Sequence, residues 1–248
     1  MSPTVYLVTG ANRGIGLALV EQLAARPNTV VFAGVRSYPL PAGSDLGKLA
    51  SRAPEVVVPI QITSADEAGN AAAAEVVRSK VGKVDVIIAN AGTHSGHAPM
   101  LSVTPAQLEG DFRTNSIGTV VLFQAFAPLL LAAGGAAKFV AISSILAQIT
   151  DSYDYPFNAY GGSKSALNYF VKKIDQEFPQ IIAFPINPGV VDTDMAREAA
   201  VPLGVTVAEI GGITPEQSAA GMLAVIDNAT KKSHGGKFWD EQGRQMTY

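Results

Sequence analysis

Tyr160 and Lys164 stand four residues apart in the run Tyr160-Gly161-Gly162-Ser163-Lys164. On a helix that spacing puts both side chains on one face, with Cβ atoms about 5–6 Å apart. An ammonium beside a phenol favours the phenolate and lowers a pKa that is about 10 when unperturbed. A phenol tuned in this way is a general acid for a carbonyl oxygen that receives a hydride. The pair alone is a weak signal, because with seven tyrosines a Y-x-x-x-K arises by chance in about one such chain in four. An exposed helix face is then the plainer explanation. Its company strengthens it. Ile142-Ser143-Ser144 and Asn90-Ala91-Gly92 each close an apolar, β-rich run, and parallel α/β sheets bind ligands at the carboxyl ends of their strands. Asn115 lies inside a long helical pattern, where Asn is a poor helix former.

A second constellation is Thr9-Gly10-Ala11-Asn12-Arg13-Gly14-Ile15-Gly16, where the first apolar run meets the first helical pattern. Gly10 permits a tight turn, Gly14 lets a pyrophosphate approach the backbone, and Gly16 lets the helix pack close to the strand. Free N–H groups at a helix start favour a bound anion. The next β-rich run ends at Val35-Arg36 without the acidic residue that binds a ribose 2′-hydroxyl in NAD-specific sites. A guanidinium offers a planar fork of donors to a 2′-phosphate. Arg36, with Arg13 reaching from the glycine turn, therefore points to NADP(H) as cofactor.

Alternating short apolar runs and helical stretches must position these groups. Strands are expected at Val5–Thr9, Thr29–Val35, Val56–Ile62, Val84–Asn90, Ala137–Ser143, Gln180–Ile186 and, briefly, Gly236–Trp239. Helices are expected over Gly14–Ala25, from an N-cap at Ser64 through Ser79, from Thr104 to about Leu131, over Ala159–Phe178, and from Thr214-Pro215 onward. Ser37–Pro54 reads as a loop with a turn around Leu46–Ala50. Repeated β-α-β order implies a single-domain α/β fold over residues 1–248. It would be a doubly wound Rossmann arrangement, with a parallel sheet of about seven strands and helices on both faces. Met195–Thr214 lacks a clear pattern, and the stretch near 194–215 is expected to bind substrate.

In these motifs the chain resembles the short-chain dehydrogenase/reductase family over nearly its whole length. TGANRGIG resembles the family's cofactor turn, and ANAG at 89–92 its NNAG motif, with Ala89 in place of the first Asn. Tyr160 and Lys164 resemble its catalytic pair, Ser144 its serine and Asn115 its helix asparagine. The segment Asn187-Pro188-Gly189-Val190-Val191-Asp192-Thr193 is similar to PG-x-x-x-T. Within the family, ISSILAQIT, the loop 145–159 and GGKFWDEQG look most like carbonyl reductases, fungal ketoreductases of the norsolorinic acid type among them.

The resemblance implies that Ser144 hydrogen-bonds the carbonyl and that Tyr160 donates the proton. Lys164 would lower the tyrosine pKa and hold the nicotinamide ribose, while Asn115 anchors a water that relays protons to the lysine. It further implies cofactor contacts from Gly10, Asn12, Arg13, Gly14, Ile15, Gly16, Arg36, Gln61, Ile62, Asn90, Ala91, Gly92, Pro188, Gly189, Val191 and Thr193, the last on the carboxamide. Two departures stand out. Gln61 occupies the place of an adenine-contacting Asp, and 16 residues separate Ser144 from Tyr160, more than is usual. The expected substrate is an apolar or aromatic ketone, or the matching secondary alcohol. Its walls would be His94–Met100, Ala147–Phe157 and Met195–Ile213, with Tyr153, Tyr155, Phe157 and Met195 among them. A homodimer or homotetramer is expected, built on the helices near Thr104–Leu131 and from Ala159.

Composition removes other classes. The 248 residues are 48% hydrophobic and 16% charged, which argues against a disordered chain. Net charge is −3 and the only adjacent basic pairs are Lys172-Lys173 and Lys231-Lys232, so nucleic-acid binding has no electrostatic footprint. Without cysteine there is no disulfide, thiolate nucleophile or thiolate metal site, which fits a cytoplasmic protein. His94 and His97 lack partners for a metal site and read as pocket-rim or solvated residues. The run Thr119–Ala137 is apolar but holds Gln124, Pro128 and Gly134-Gly135, so it reads as a buried helix rather than a membrane span. No G-x-S-x-G elbow and no P-loop is present. The rival to an enzyme is a redox sensor that binds NADP(H) without catalysis, although a sensor has no need of a Tyr–Lys–Ser–Asn set.

Overall fold

The computed structural model describes residues 2–248. Strands β1 (Thr4–Thr9), β2 (Thr29–Val35), β3 (Val57–Gln61), β4 (Val86–Ala89), β5 (Ala137–Ile142), β6 (Ile181–Asn187), β7 (Phe238–Asp240) and β8 (Gln245–Met246) form one sheet in the order 3-2-1-4-5-6-7-8. The first seven run parallel, and β8 pairs antiparallel with β7. The sheet thus has one strand more than expected. Two residues after a turn carry too little periodicity to be seen in sequence.

Helices cover both faces. Along β1, Tyr6 and Val8 face one layer while Val5 and Leu7 face the other, the alternation that a strand imposes. On the first side pack α1 (Gly14–Ala24), α2 (Asp45–Arg52) and α8 (Pro215–Asn228). The second side holds α3 (Glu67–Val81), the long helix of α4 (Pro105–Phe112) and α5 (Gly118–Ala132), and α6 (Asn158–Glu177). Short helices α7 (Asp194–Ala200) and α9 (Lys231–His234) flank β6 and precede β7. Because β1 and β4 lie side by side while the chain winds outward in both directions, their carboxyl ends open the crevice where such folds bind ligands.

Local chemistry sets the helix starts. Thr104 caps α4 with a reciprocal Gln107 contact and Pro105 at the first helical position, the arrangement that satisfies two otherwise orphaned N–H groups. Thr214 and Gln217 do the same for α8. The start of α3 differs from expectation. Ala65 takes a left-handed φ of 57°, which turns the chain and delays the helix, so Asp66 rather than Ser64 caps it. Between α4 and α5 the helix widens to a π turn over Arg113–Ile117. Pro105–Ala132 is long and apolar enough to cross a membrane. Here Phe123, Phe126, Leu129 and Leu130 bury its inner face against the sheet.

Candidate active site

The glycine turn leaves β1 and enters α1. Gly10 and Gly14 have positive φ, 64° and 54°, which other residues adopt at a cost. A Cβ on Gly16 would collide with the Gly10 carbonyl oxygen, so only glycine lets α1 begin this close to the strand. Thr9 Oγ1 accepts from the Asn90 and Ala91 amides at 3.0 Å each, and Asn90 Nδ2 donates to the Thr9 carbonyl at 2.9 Å. Asn90 thus clamps the turn to the end of β4. Arg13 caps α1 without a side-chain bond, and no acidic residue lies in the first turn. The first N–H groups of α1 are left for an anion. This is a cradle that fits a dinucleotide pyrophosphate.

At the end of β2, Arg36 is exposed, and Gln61 Nε2 donates to its carbonyl at 3.3 Å. Ile62 lies buried beside Gly34. Arg13 departs from expectation. Instead of aiming alongside Arg36, its guanidinium pairs with Asp194 at 2.8 Å, because Asp194 opens α7 directly opposite the turn. Both side chains are more than half exposed, so the pair is weak and exchangeable. Thr193 sits at the start of the same helix. Its hydroxyl caps α7, accepting from the Ala196 amide at 3.2 Å, and donates to the Val191 carbonyl at 3.3 Å. Its methyl faces Gly14, which brings the Pro188–Thr193 segment against the glycine turn. Gly189 turns that segment with a φ of 80°, and Ser218 Oγ donates to the Pro188 carbonyl at 2.6 Å.

Tyr160 and Lys164 occupy the first turns of α6, one helical turn apart. Lys164 is 4% exposed and donates to the Ile142 carbonyl at 2.7 Å. Its Nζ lies 5.7 Å from the Tyr160 ring centroid. Gly92 passes so close to Lys164 and Asn115 that a Cβ there would sit 3.2 Å from Asn115 Oδ1 and 3.4 Å from the ammonium. The two serines divide as strand geometry requires. Ser143 is buried and donates to Asn168 Oδ1 at 2.6 Å, while the Ser144 hydroxyl lies beside the Tyr160 phenol. The long spacing from Ser144 to Tyr160 does not part them, because Ile149–Tyr155 loops out into solvent.

Burial dominates the electrostatics of the pair. Burial pushes the Tyr160 phenol up to about 12, with the Ser144 hydroxyl opposing and the Asp111 carboxylate adding to the rise. Burial also pulls Lys164 down to about 8. On the tyrosine, burial is the largest effect. The ammonium of Lys164 is directed at the Ile142 carbonyl. The result is a phenol that keeps its proton through the neutral range.

Asn115 lies within the π turn. Its side chain is fully engaged, with Oδ1 accepting from the Thr93 amide and Nδ2 donating to the Thr93 carbonyl and Ser163 Oγ, all at 2.9 Å. A water for Lys164 would therefore rest on its main-chain carbonyl, which also accepts from Thr119 Oγ1 at 2.8 Å. π turns recur at functional sites. Reading the sequence alone missed Asp111, which is 1% exposed and accepts from Ser95. Its four-residue spacing from Asn115 was a usable signal. His94, expected at the pocket rim, stands 6.4 Å from Tyr160 between ring centroids.

A family model described as short chain dehydrogenase matches residues 4–202. The chain belongs to the short-chain dehydrogenase family. It is 34% identical to a short chain dehydrogenase of Penicillium aethiopicum, covering 99% of this chain and all of that one. It is 37% identical to norsolorinic acid ketoreductase of Aspergillus parasiticus, over 95% and 87% of the two chains. Among solved structures, an NADPH-bound carbonyl reductase from chicken fatty liver superposes with a TM-score of 0.90 at 30% identity, and the carbonyl reductase Sniffer of D. melanogaster with 0.85 at 25%. Both comparisons cover each chain in full. As a short-chain dehydrogenase of carbonyl reductase type, the protein is an oxidoreductase. The crevice between the glycine turn, Tyr160 and Lys164 is the site that this membership makes relevant.

Proposed function

We propose that this short-chain dehydrogenase reduces ketones with NADPH, and that Ser144, Tyr160, Lys164 and Asn115 carry the chemistry. The observation that bears most weight is the Tyr160 phenol beside the Ser144 hydroxyl and one helical turn from Lys164, at the mouth of the crevice opened by the glycine turn. A bound nicotinamide cofactor supplies the hydride. Ser144 hydrogen-bonds the carbonyl oxygen, and Tyr160 gives that oxygen its proton as negative charge develops there. Lys164 holds positive charge behind the phenol and resupplies protons through a water on the Asn115 main-chain carbonyl. A phenol pushed up to about 12 holds a proton to donate at neutral pH.

Gly10, Asn12, Gly14, Ile15 and Gly16 hold the pyrophosphate, with Gln61 and Ile62 beside the adenine. Asn90, Ala91, Gly92 and Pro188–Thr193 flank the nicotinamide half. Arg36 reads the 2′-phosphate, and Arg13 joins it by leaving Asp194. The NADPH-bound relative of carbonyl reductase name supports this choice. Charge-assisted hydrogen bonds contribute about 1.5–3 kcal/mol each, so Arg36→Ala should cost NADPH at least tenfold in kcat/KM while NADH changes little. Equal efficiency with both cofactors in the wild type overturns the preference. Tyr160→Phe should bind NADPH normally and lose about 10²–10⁴-fold in turnover. A wild-type protein that binds NADPH yet reduces no member of a ketone panel would instead be a cofactor-binding sensor.

A further inference from the structure

The loop after β4 is clamped residue by residue. Gln107, Asp111 and Asn115 follow one another at four-residue spacing and share one face of their helix. Asn115 holds both the amide and the carbonyl of Thr93. Asp111 takes two hydrogen bonds from Ser95, from its amide at 3.1 Å and its hydroxyl at 2.6 Å, and Gln107 Nε2 donates to the Ser95 carbonyl at 3.2 Å. Further on, the Ala98 amide donates to the Pro156 carbonyl at 2.8 Å, and Asn158 Nδ2 to the Ala98 carbonyl at 2.9 Å. A carboxylate as buried as Asp111 is costly unless its hydrogen bonds hold it. Here those bonds fix one short loop.

Between the two clamped residues lies His94. Its ring stands edge-on to Tyr160 at 6.4 Å and to Phe157 at 6.2 Å between centroids. Nδ1 accepts from the Gly96 amide at 3.1 Å. In a neutral imidazole the other nitrogen then carries the hydrogen, so Nε2–H is the donor. A half-buried ring edge-on to two aromatic rings, with one nitrogen tied back to its own loop, is held in orientation.

We propose that His94 is a specificity residue of this active site, donating from Nε2 to a second oxygen of the substrate, so that ketones bearing another acceptor oxygen within two carbons of the reacting carbonyl are preferred. The inference rests on the ketoreductase reading above and names its substrate class. Two acceptor oxygens about 3 Å apart, each about 2.8 Å from its donor, need donors no more than about 8 Å apart. Ring centroids 6.4 Å apart allow the Tyr160 hydroxyl and His94 Nε2 to lie within that limit. A site built to hydrogen-bond a substrate oxygen discriminates against analogues that lack it, because its donor is then left unpaired.

The test compares ethyl 3-oxobutanoate with 4-methylheptan-2-one, a ketone of the same size and shape without the ester oxygens. With NADPH, His94→Phe should lower the ratio of their kcat/KM values by at least about tenfold, and His94→Gln, which keeps an N–H donor, should restore it to within about threefold of wild type. The ratio cancels any fall in active fraction. In a Tyr160→Phe background, the dissociation constant of ethyl 3-oxobutanoate from the NADPH complex, read by quenching of nicotinamide fluorescence, should rise by a similar factor when His94→Phe is added. A ratio within about threefold of wild type in His94→Phe overturns the assignment alone. A wild type that reduces neither ketone overturns the ketoreductase reading and this inference with it.

Discussion

Lys164 carries an ammonium where almost no water reaches. Its descent from 10.5 to about 8 is a cost to folding, since each unit amounts to about 1.4 kcal/mol. Replacing it by Met removes a penalty of about 3 kcal/mol and leaves the Ile142 carbonyl unpaired, which costs about 1 kcal/mol. Lys164→Met should therefore be more stable than wild type by about 2 kcal/mol at pH 7, although inactive. Below pH 8 both folded and unfolded wild type hold the proton, so the penalty is full. Between pH 8 and 10.5 the unfolded state binds more protons, wild-type stability rises, and the advantage of the variant shrinks. Urea unfolding at pH 7 and 9.5 checks this, and a variant less stable than wild type at pH 7 contradicts it. The serines offer a sharper contrast. Ser144→Ala should lose most ketone turnover with its fold intact. Ser143→Ala should mainly destabilise, by about 1–3 kcal/mol, because it strands the buried Asn168. Turnover and thermal unfolding of both variants decide between them. The pair Ser143-Ser144 was legible as a strand end, but which serine faces the crevice is a matter of sheet orientation.

At the scale of elements, the start of α1 makes a firm demand. Gly16 faces the Gly10 carbonyl so closely that Gly16→Ala must push helix and strand apart. The α1 N–H groups then leave the phosphate position, and NADPH affinity measured by calorimetry should fall at least tenfold while the far-UV spectrum is kept. Affinity equal to wild type would show that the turn tolerates the shift. The glycine pattern was readable because its spacing follows from backbone sterics alone. The π turn at Arg113–Ile117 was not, since no residue preference marks it. It arises where the α4–α5 helix must direct Asn115 toward Thr93 and Ser163 while keeping Phe123 and Phe126 against the sheet. The Asp66 cap escaped for a similar reason. Ser64 and Asp66 are both good caps, and only the turn at Ala65 chooses between them.

On the whole molecule, Leu108, Phe112, Leu131 and Tyr169 leave large apolar surfaces in water on α4, α5 and α6, with Tyr169 62% exposed. We expect these helices to pair two copies of the chain. Sedimentation at micromolar concentration should show twice the 25.8 kDa chain mass, and Phe112→Lys with Tyr169→Lys should shift it to monomer. A wild type that sediments as a single chain rules the pairing out. The sequence by itself determined the α/β architecture, the glycine turn and the Tyr160–Lys164 pair. Each rests on local periodicity or on glycine sterics, which act over a few residues. Tertiary structure alone decided that Arg13 turns to Asp194 and that Asp111 steadies the loop bearing His94. It also decided that Tyr160 and Lys164 are desolvated together. Those outcomes depend on which groups far apart in the chain are brought together and on how much water remains around them. Desolvation is set by the whole packed assembly, and no short stretch of sequence encodes it.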